Sequence, residues 1–581
     1  MKILLTSINA KFIHSNLAIH SIRAYSKEYE KNIQIREFTI NNSVDDILRE
    51  IYKENPNVLA ISTYIWNIEM VKDIIIEIKK ILPNIEIWLG GPEVSFDSEK
   101  QLERYNMIKG IITGEGEGIF KDITSYYVDG QPSLNKIQGI VFRDQARIIN
   151  TGIRPILDIN TIPFAYEEII ETFENKIIYY ESSRGCPFSC QYCLSSIERA
   201  VRFRDLDLVK IELKQFIQAS VKQVKFVDRT FNCKKEHALG IWNFLKENDN
   251  GFTNFHFEIA ADLIDEDMLE FLSTVRQGLF QFEIGVQSTN EATLDIIQRK
   301  TNFSKLSQAV KALNTFQNIH QHLDLIAGLP KEDYNTFKKS FNDVYALAPE
   351  QLQLGFLKVL KGSGIFNRKE ELGIVHRDKP PYEVITTKEL TYGEIQTLKM
   401  IEEMVEIYYN SGQFTHTIKF IEKYFVNPFE MFESMANYYE KNNLNTLQHS
   451  RIARYDILLE YFNTHIEKNN KVIEEILILD LYLQENLKKR PEWAQEKEEY
   501  KESIKDFYKE SENITQYLPQ YKGYTAKQIT RMTHIETFTV DIMKFIKTKE
   551  IVSGEKPTFI LFDYLDRNPL NHHAKIKQIP L

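Results

Sequence analysis

Three cysteines lie close together in the stretch from Ser183 to Cys193. Three residues separate Cys186 from Cys190, two separate Cys190 from Cys193, and the 581-residue chain has only four cysteines. Thiolates are the usual protein ligands of iron–sulfur clusters. Three thiolates on one short loop can hold three irons of a 4Fe–4S cube and leave the fourth iron open to a small molecule. A structural zinc site would want four ligands in two separated pairs, and the sequence has no second pair.

This cysteine spacing resembles that of the radical S-adenosylmethionine enzymes. The usual sequence motif of that family is matched by Gly185-Cys186-Pro187-Phe188 and by the aromatic Tyr192 before the last cysteine. The resemblance implies that the open iron chelates S-adenosylmethionine. It also implies that an electron from the cluster frees a 5′-deoxyadenosyl radical, which abstracts hydrogen from a substrate. A low-potential electron donor such as flavodoxin or ferredoxin is the expected partner.

The composition is that of a globular protein and argues against a nucleic-acid-binding, membrane-spanning or secreted protein. Hydrophobic residues make up 43% and charged residues 27% of the chain, as in ordinary globular proteins. A net charge of −10 argues against a broad nucleic-acid footprint. Scarce cysteines indicate a reducing compartment, and no apolar run approaches the ~18 residues of a membrane span. The apolar start of the chain predicts a first strand rather than a signal peptide, so we expect a cytoplasmic protein.

Residues 1–130 alternate between predicted strands and predicted helices. The strands are expected at 2–8, 33–40, 58–63, 85–89 and 108–113, and the helices at 17–30, 44–54 and 67–81. This alternation predicts an α/β domain with a doubly wound parallel sheet. Ligands of such sheets lie outside the carboxyl ends of the strands.

These strand ends carry motifs that resemble a cobalamin-binding domain, namely Gly90-Gly91-Pro92 and Gly114-Glu115-Gly116-Glu117. The resemblance implies cobalamin contacts at Asn9, Thr63, Tyr64, Trp66, Gly90, Gly91, Pro92, Gly114 and Glu115. Many cobalamin proteins carry Asp-x-His-x-x-Gly after the first strand, and its histidine ligates cobalt. Here the loop at 9–14 lacks the Asp and Gly partners of His14. We therefore expect cobalamin without a histidine lower ligand.

The rest of the chain divides into three further regions. Residues 131–175 are interpreted as a linker with a small hairpin. Residues 176–365, with strands expected at 177–181, 223–228, 255–260, 281–287, 322–327 and 352–360, resemble the open (β/α)6 barrel of the radical family. Residues 366–581 show helical spacing over 390–410, 417–441, 450–466, 471–488, 493–511 and 525–547, which predicts a mainly helical accessory domain of five to seven helices with a late strand at 559–564.

Several barrel positions resemble cofactor contacts of coproporphyrinogen-type radical enzymes. The resemblance places Asp324 beside the adenosyl group, Gln287 and Glu258 on the ribose, and Arg299 on the cofactor's carboxylate, which its fork would bind through two parallel hydrogen bonds. Asp228-Arg229-Thr230 replaces the family's Gly-Gly-Glu, so its contact to the methionyl amine is less well defined. Together with Tyr192, these residues form the predicted S-adenosylmethionine site. The alternative interpretations are a solvated carboxylate for Glu258 and a helix-surface charge for Arg299.

Cys233 follows the second barrel strand closely. A single thiol there is usually a small apolar filler, and that is the favoured interpretation. The functional alternative is a proton or hydrogen donor.

The leading functional hypothesis is a cobalamin-dependent radical enzyme that modifies an unactivated carbon, by methyl transfer in most studied members. Ring closure or rearrangement without net methylation is the alternative, and it uses the same cluster and cofactors. A transfer-RNA methylthiotransferase would need three further cysteines in the N-terminal domain, and residues 1–185 contain none. A cobalamin-binding sensor or carrier with a vestigial barrel is the non-catalytic alternative. The substrate stays open.

Overall fold

A computed structural model describes residues 1–11, 14–167, 170–173, 176–468, 470–494 and 498–581. The chain forms two compact units. The first comprises Met1–Ile319, Ile326–Asp333 and Gly355–Thr391, and the second comprises His320–Leu325, Tyr334–Leu354 and Tyr392–Leu581. Within these described ranges, no helix is long and apolar enough to cross a membrane.

The strands follow one another along both units. They are β1 (Ile3–Asn9), β2 (Ile33–Thr39), β3 (Val58–Ser62), β4 (Glu86–Gly90), β5 (Ile108–Ile112), β6 (Ile140–Asp144), β7 (Arg147–Asn150), β8 (Ile177–Tyr180), β9 (Ser183–Arg184), β10 (Arg202–Phe203), β11 (Gln223–Phe226), β12 (Asn254–Ile259), β13 (Phe280–Gln287), β14 (His320–Ala327), β15 (Gln351–Phe356), β16 (Val375–His376), β17 (Val384–Thr386), β18 (Thr533–Val540), β19 (Ser553–Arg567) and β20 (Ala574–Ile579).

The α-helices are interspersed with these strands. They are α1 (Leu17–Tyr25), α2 (Val44–Glu54), α3 (Ile68–Ile81), α4 (Pro92–Ser95), α5 (Ser98–Arg104), α6 (Gly116–Asp129), α7 (Leu206–Gln218), α8 (Lys235–Glu247), α9 (Glu266–Leu272), α10 (Glu291–Ile296), α11 (Phe303–Phe316), α12 (Tyr334–Tyr345), α13 (Gly364–Arg368), α14 (Tyr392–Val405), α15 (Thr415–Ile421), α16 (Pro428–Lys441), α17 (Arg451–His465), α18 (Lys471–Gln484), α19 (Lys501–Lys509), α20 (Ser511–Tyr517), α21 (Ala526–Met532) and α22 (Ile542–Thr548).

The first sheet has the strand order β2-β1-β3-β4-β5-β6-β7. β1 to β5 are parallel, and apolar residues of both faces are buried, with Leu4 on one face and Leu5 on the other. This confirms the predicted doubly wound parallel sheet. Because β2 and β3 lie on opposite sides of β1, the winding direction changes between β1 and β3, and a crevice forms at the carboxyl ends of the strands there.

The predicted hairpin continues this sheet rather than standing apart from it. β6 pairs antiparallel with β5, placing Phe142 opposite Gly110, and β7 pairs antiparallel with β6. Gly110 is required at this point because an added Cβ would lie 2.4 Å from the Trp88 ring. The hairpin therefore covers the β5 edge that the parallel strands would otherwise leave unpaired.

The barrel strands form a sheet of six, in the order β15-β14-β13-β12-β11-β8. One face is aromatic, since Phe226, Phe257 and Phe282 pack with each other and with Trp242 of α8. Side chains alternate between the two faces of a strand. The opposite face therefore carries the intervening residues, among them Lys225 and Glu283, which form an ion pair of 2.9 Å.

The C-terminal region is mainly helical, as predicted, but its helices are shorter and more numerous. The predicted helix over 417–441 is two helices, α15 and α16. The break falls at Asn427, whose side chain accepts a hydrogen bond from the backbone N–H of Glu430, and at Pro428, the first residue of α16. An Asn cap followed by Pro is a helix start signal, and Pro cannot continue a preceding helix.

The predicted helix over 525–547 was wrong at its centre. The structure has α21, then the eight-residue strand β18, then α22. β18 pairs antiparallel with β19, and β19 pairs with β20. Its sequence, Thr-His-Ile-Glu-Thr-Phe-Thr-Val, is rich in β-branched residues, which favour a pleated strand once a partner strand is available. The predicted late strand at 559–564 lies inside β19.

Candidate functional site

The three clustered cysteines lie on a loop, residues 185–201, that a short ladder closes. β9 and β10 pair antiparallel, with Arg202 opposite Arg184. Gly185 has φ +101°, and a Cβ added there would lie 2.4 Å from the carbonyl oxygen of Ala200. The backbone N–H of Cys186 donates to the carbonyl of Glu198 over 3.1 Å. The cluster loop is thus held closed on itself.

Asp228 anchors the strand that leads into this loop. It is completely buried, and its carboxylate accepts hydrogen bonds from the Ser182 backbone N–H (2.9 Å) and from the hydroxyls of Ser182 and Ser183 (both 2.6 Å). Burial raises its pKa to about 6, although these hydrogen bonds oppose the shift. The predicted contact of Asp228 with the methionyl amine stays a prediction, and in the structure both carboxylate oxygens accept hydrogen bonds from the base of the cluster loop.

The cysteine side chains face this enclosed loop. Cys186 and Cys190 are buried and Cys193 is half-buried. The Cys186 Sγ lies 3.6 Å from Thr230 Oγ1, and Arg299 Nη1 donates to Cys190 Sγ over 3.8 Å. Burial raises the pKa of the Cys190 thiol, and the Arg299 guanidinium opposes that shift. The three soft thiol donors on one loop fit a cluster in which each thiolate binds a different iron.

A second group of predicted residues meets beside Cys190. Arg299 donates from Nη1 to the Tyr192 hydroxyl (3.0 Å) and from Nη2 to the Gly285 carbonyl. These contacts are not those of a helix-surface charge. Gly285 is needed there because an added Cβ would lie 2.4 Å from Gln287 Nε2 and 3.3 Å from Arg299 Nη2.

Two polar atoms of this group have no hydrogen-bond partner in the part of the chain that the structure describes. Arg299 Nε and Gln287 Oε1 are buried and have no hydrogen-bond partner among the described residues. Gln287 has φ +72°, a conformation that non-glycine residues adopt rarely and that is concentrated at functional sites. A free guanidinium N–H and a free amide oxygen next to the cysteines fit a ligand that has both a carboxylate and hydroxyl groups, as S-adenosylmethionine does.

The other two predicted contacts lie on barrel strands. Glu258 is half-buried on β12 and is close enough to Lys225 to help raise the pKa of that amine, so it faces the polar side of the sheet. Asp324 belongs to the second unit, where His322 Nε2 lies 3.1 Å from its carboxylate. Cys190, Tyr192, Gln287 and Arg299 are thus the residues that the structure brings into one group.

Cys233 lies near the cluster loop. Its backbone N–H donates to the Thr230 carbonyl over 3.1 Å. Burial, together with smaller contributions from the neighbouring Cys186 and Asp228, raises the pKa of the thiol to about 11. The thiol is therefore protonated at neutral pH, which suits both the filler and the hydrogen-donor interpretations.

Sequence reasoning missed a charged cluster on the polar face of the barrel sheet. Glu283 accepts from Lys225 (2.9 Å), and His256 Nε2 lies 3.1 Å from the same carboxylate. Burial acts to raise the pKa of Glu283, but His256 and Lys225 hold it well below its usual value. The available signal was the alternation of polar and apolar residues in the three strands β11, β12 and β13, which carry Lys225, His256 and Glu283.

The predicted cobalamin edge is built by the ends of β3 and β4. The backbone N–H and the hydroxyl of Thr63 both donate to the Gly90 carbonyl, over 2.7 and 2.8 Å. Gly91 has φ +113°, and an added Cβ would lie 2.3 Å from the Thr63 carbonyl oxygen. Pro92 then starts α4. This edge is therefore tightly specified, and only glycine fits at position 91.

Two features of the same edge are open to a ligand. Tyr64 and Trp66 stack with ring centroids 4.5 Å apart, and Trp66 is 43% exposed while its indole N–H donates to the Ile8 carbonyl. Gly114 has φ +93°, and no described atom lies within 4 Å of a Cβ added there. A flat aromatic platform and an open glycine fit a broad ring system such as a corrin.

The side chains of Asn9 and Glu115 instead form hydrogen bonds within the chain. The Asn9 amide donates to the His14 carbonyl (3.2 Å) and to Glu37 (2.6 Å), and Asn9 is 4% exposed. The Glu115 carboxylate accepts from Arg184 and Arg202. The predicted cobalamin contacts at Asn9 and Glu115 stay predictions, and in the structure both side chains are bound to partners within the chain.

The loop after β1 is bound to the barrel edge. His14 Nδ1 lies 2.8 Å from the Tyr179 hydroxyl, and the Ser15 backbone N–H donates to the Ile177 carbonyl over 3.2 Å. Burial lowers the pKa of His14, with Lys11 and Lys225 adding to the effect. Phe12 and Ile13 of this predicted loop lie outside the described residues.

We expect that bound cob(II)alamin takes no imidazole from His14, because this ring is already paired with Tyr179. The His14→Ala chain should give the same electron paramagnetic resonance spectrum of cob(II)alamin as the unmodified chain. Nitrogen superhyperfine splitting that is present in the unmodified chain and lost in His14→Ala would contradict this expectation.

Comparison with known proteins gives three consecutive domain matches. Residues 3–124 match the B12 binding domain, residues 180–344 match the radical SAM superfamily, and residues 370–562 match a protein family of unknown function, DUF4080. The chain therefore carries a B12-binding domain followed by a radical SAM domain. The predicted cofactor classes are those of its first two domains.

Relatives of this chain include two proteins whose names state different reactions, a methyl transfer and a ring closure. It is 25% identical to the cobalamin-dependent radical SAM methyltransferase TokK of Streptomyces tokunonensis, over 49% of this chain and 44% of TokK. It is 21% identical to the anaerobic magnesium-protoporphyrin IX monomethyl ester cyclase of Cereibacter sphaeroides, over 54% of this chain and 53% of the cyclase. The chain thus spans about half the length of these relatives.

Among solved structures, the cobalamin-dependent S-adenosylmethionine radical enzyme OxsB, with aqua-cobalamin and S-adenosylmethionine bound, shares the fold. The TM-score is 0.57 at 16% identity, and the match covers 82% of this chain and 78% of OxsB. At this identity the likeness concerns the fold alone.

Proposed function

We propose that this protein is a cobalamin-dependent radical S-adenosylmethionine enzyme that modifies an unactivated carbon, with methyl transfer as the leading reaction. The observation that carries the proposal is the group formed by Cys190, Tyr192, Gln287 and Arg299, in which two buried polar atoms have no hydrogen-bond partner among the described residues. When bound, the cluster supplies one electron for cleavage of S-adenosylmethionine, and cobalamin supplies a transferable methyl group.

The chain's own residues bind and orient these groups. Cys186, Cys190 and Cys193 ligate the cluster. Arg299 binds the carboxylate of S-adenosylmethionine, because a guanidinium held in place by Gly285 and Tyr192 keeps its free Nε–H for an anionic partner. Gln287 accepts a hydrogen bond from the ribose through its free Oε1. The family resemblance alone assigns Glu258 to the ribose and Asp324 to the adenosyl group.

The cobalamin side uses the carboxyl ends of the first sheet. Cobalamin would be held by Tyr64, Trp66, Gly90, Gly91 and Gly114, where the exposed Trp66 ring stacked on Tyr64 and the open space at Gly114 offer contact area for a broad ring system. This placement follows the rule that ligands of parallel sheets lie at the carboxyl ends of the strands.

Ring closure without net methylation is the second candidate, and the likeness to the protoporphyrin cyclase is the observation that favours it. A methylthiotransferase stays disfavoured because residues 1–185 contain no cysteine for a second cluster. A purely cobalamin-binding carrier is disfavoured because it would have no use for the strained Gln287 and the enclosed Arg299.

Anaerobic turnover tests the proposed function. The chain, reconstituted with iron, sulfide and cobalamin, should release 5′-deoxyadenosine from S-adenosylmethionine when a low-potential donor such as flavodoxin or ferredoxin, or dithionite, is present. The same chain without reductant is the control. A fully loaded cluster that releases no 5′-deoxyadenosine would place the protein among cobalamin carriers instead. Transfer of a labelled methyl group from S-adenosylmethionine to a product would separate methylation from ring closure.

A further inference from the structure

Glu115 connects the B12-binding domain to the base of the cluster loop. Its Oε1 accepts from Arg184 over 3.0 Å and also from Arg202, and its Oε2 accepts the backbone N–H of Leu157 over 2.7 Å. Burial acts to raise the pKa of Glu115, but the hydrogen bonds from Arg202, Leu157 and Arg184 outweigh it and hold the pKa below its usual value. The carboxylate is therefore ionised and fully engaged at neutral pH.

Arg184 directly precedes the cluster loop and binds three carboxylates. Besides Glu115, its guanidinium donates to Glu117 over 2.8 Å and to Glu181 over 2.7 and 2.9 Å. Only 19% of the side chain is exposed. Burial acts to lower the pKa of Arg184, but Glu181 and Glu117 hold it above its usual value. Two of the three carboxylates, Glu115 and Glu117, come from the B12-binding domain.

The ladder that closes the cluster loop depends on this carboxylate bridge. Arg184 and Arg202 are direct cross-strand partners in the two-residue ladder between β9 and β10. Like charges directly opposite each other destabilise a strand pair. Glu115 binds both guanidinium groups and so removes the repulsion, while Glu198 binds Arg202 from within the loop over 2.8 Å.

The same segment faces the predicted cobalamin position. Gly114, adjacent to Glu115, has φ +93° and open space beside its Cα, and α6 begins at Gly116. One short turn thus presents an open glycine on one side and a carboxylate bound to the cluster loop on the other. Any ligand that fixes Gly114 also fixes Glu115, because the two residues share a peptide unit.

We propose that Glu115, Arg184 and Arg202 are positioning residues that couple cobalamin binding to closure of the cluster loop. This inference rests on the proposed function, since it needs both cofactors to bind. Binding free energies couple reciprocally: if cobalamin orders the loop, a bound cluster tightens cobalamin by the same factor. The coupling keeps the two cofactors at a fixed separation before any substrate arrives.

Cobalamin affinity measured with and without the cluster tests the proposal. Hydroxocobalamin is titrated by absorbance into the cluster-free chain and into the reconstituted chain. We expect the cluster to tighten binding by about 5-fold or more in the unmodified chain, at the low end of typical coupling factors. In Glu115→Gln the ratio of the cobalamin affinities with and without the cluster should fall to about 1. A neutral amide cannot compensate the positive charges of the paired Arg184 and Arg202. Arg199→Gln, an exposed position on the same loop, is the matched control and should keep the unmodified factor.

A second variant and a second readout guard against misfolding. Arg202→Lys keeps the charge but loses the planar fork, and it should also lower the factor. In the cluster-free chain, cobalamin should slow amide hydrogen exchange over 183–204 in the unmodified protein but not in Glu115→Gln. An equal cobalamin affinity with and without cluster in the unmodified chain, or an unchanged factor in both variants, would overturn the inference. Failure of the unmodified chain to bind either cofactor would contradict the proposed function instead.

Discussion

Replacing Cys186, Cys190 and Cys193 together by alanine removes the cluster and, with it, all release of 5′-deoxyadenosine. The three thiols lie on one closed loop, and the charge-transfer absorption near ~400 nm that reports thiolate-bound iron should disappear after reconstitution. Cobalamin should still bind, because the B12-binding domain has its own core. The measurement is the absorption spectrum together with iron and sulfide content.

The matched control for this triple variant is Cys233→Ala. Cys233 is the fourth cysteine of the chain and lies near Cys186, but outside the cluster loop. It should keep a full cluster. A triple variant with an intact cluster would show that other residues ligate the iron, and loss of the cluster in Cys233→Ala would make that thiol a ligand.

Arg299→Ala weakens binding of S-adenosylmethionine by about 2–4 kcal/mol, since it leaves a carboxylate in a partly enclosed site without its charged partner. Gln287→Ala and Asp324→Ala should have smaller effects, because these residues are assigned to the uncharged ribose and adenosyl group and not to the carboxylate. The cluster should survive in all three variants. Equilibrium binding to the reconstituted chain measures the change.

The Arg299→Lys variant separates two contributions to binding of S-adenosylmethionine, the positive charge and the planar shape of the guanidinium. A lysine keeps the positive charge but cannot hold Gly285 and Tyr192 while donating to a ligand, so its affinity should lie between those of the unmodified chain and Arg299→Ala. An affinity in Arg299→Ala equal to that of the unmodified chain would show that this guanidinium supports the barrel and does not bind the cofactor.

The sequence was most informative where local patterns decide the structure. The spacing of Cys186, Cys190 and Cys193 specifies a ligand loop without any knowledge of the fold. Short runs rich in apolar residues, such as Ile3–Ile8, favour buried strands when predicted helices alternate with them, so the first sheet was predictable. The Gly90-Gly91-Pro92 turn was predictable as a strand end, because glycine and proline interrupt a strand, whereas φ +113° at Gly91 is a finding of the structure.

Prediction failed where distant residues decide. Thr533–Val540 shows apolar spacing compatible with a helix, but pairing with β19 more than ten residues away makes it a strand. The role of Glu115 was likewise hidden, since its partner Arg184 lies 69 residues further along the chain. The ladder of β9 and β10 is two residues long, too short for any periodicity to reveal it. Such contacts are set by tertiary packing, which local sequence does not encode.

The most direct test of the account is the cofactor content of the anaerobically reconstituted chain after gel filtration. One chain should carry about four iron atoms and about one cobalt, the content of a single 4Fe–4S cluster and one cobalamin. Addition of S-adenosylmethionine should shift the electron paramagnetic resonance signal of the reduced cluster in this chain, and the shift should be absent in Arg299→Ala. A chain that retains iron but no cobalt, or whose cluster signal does not respond to S-adenosylmethionine, would contradict the account.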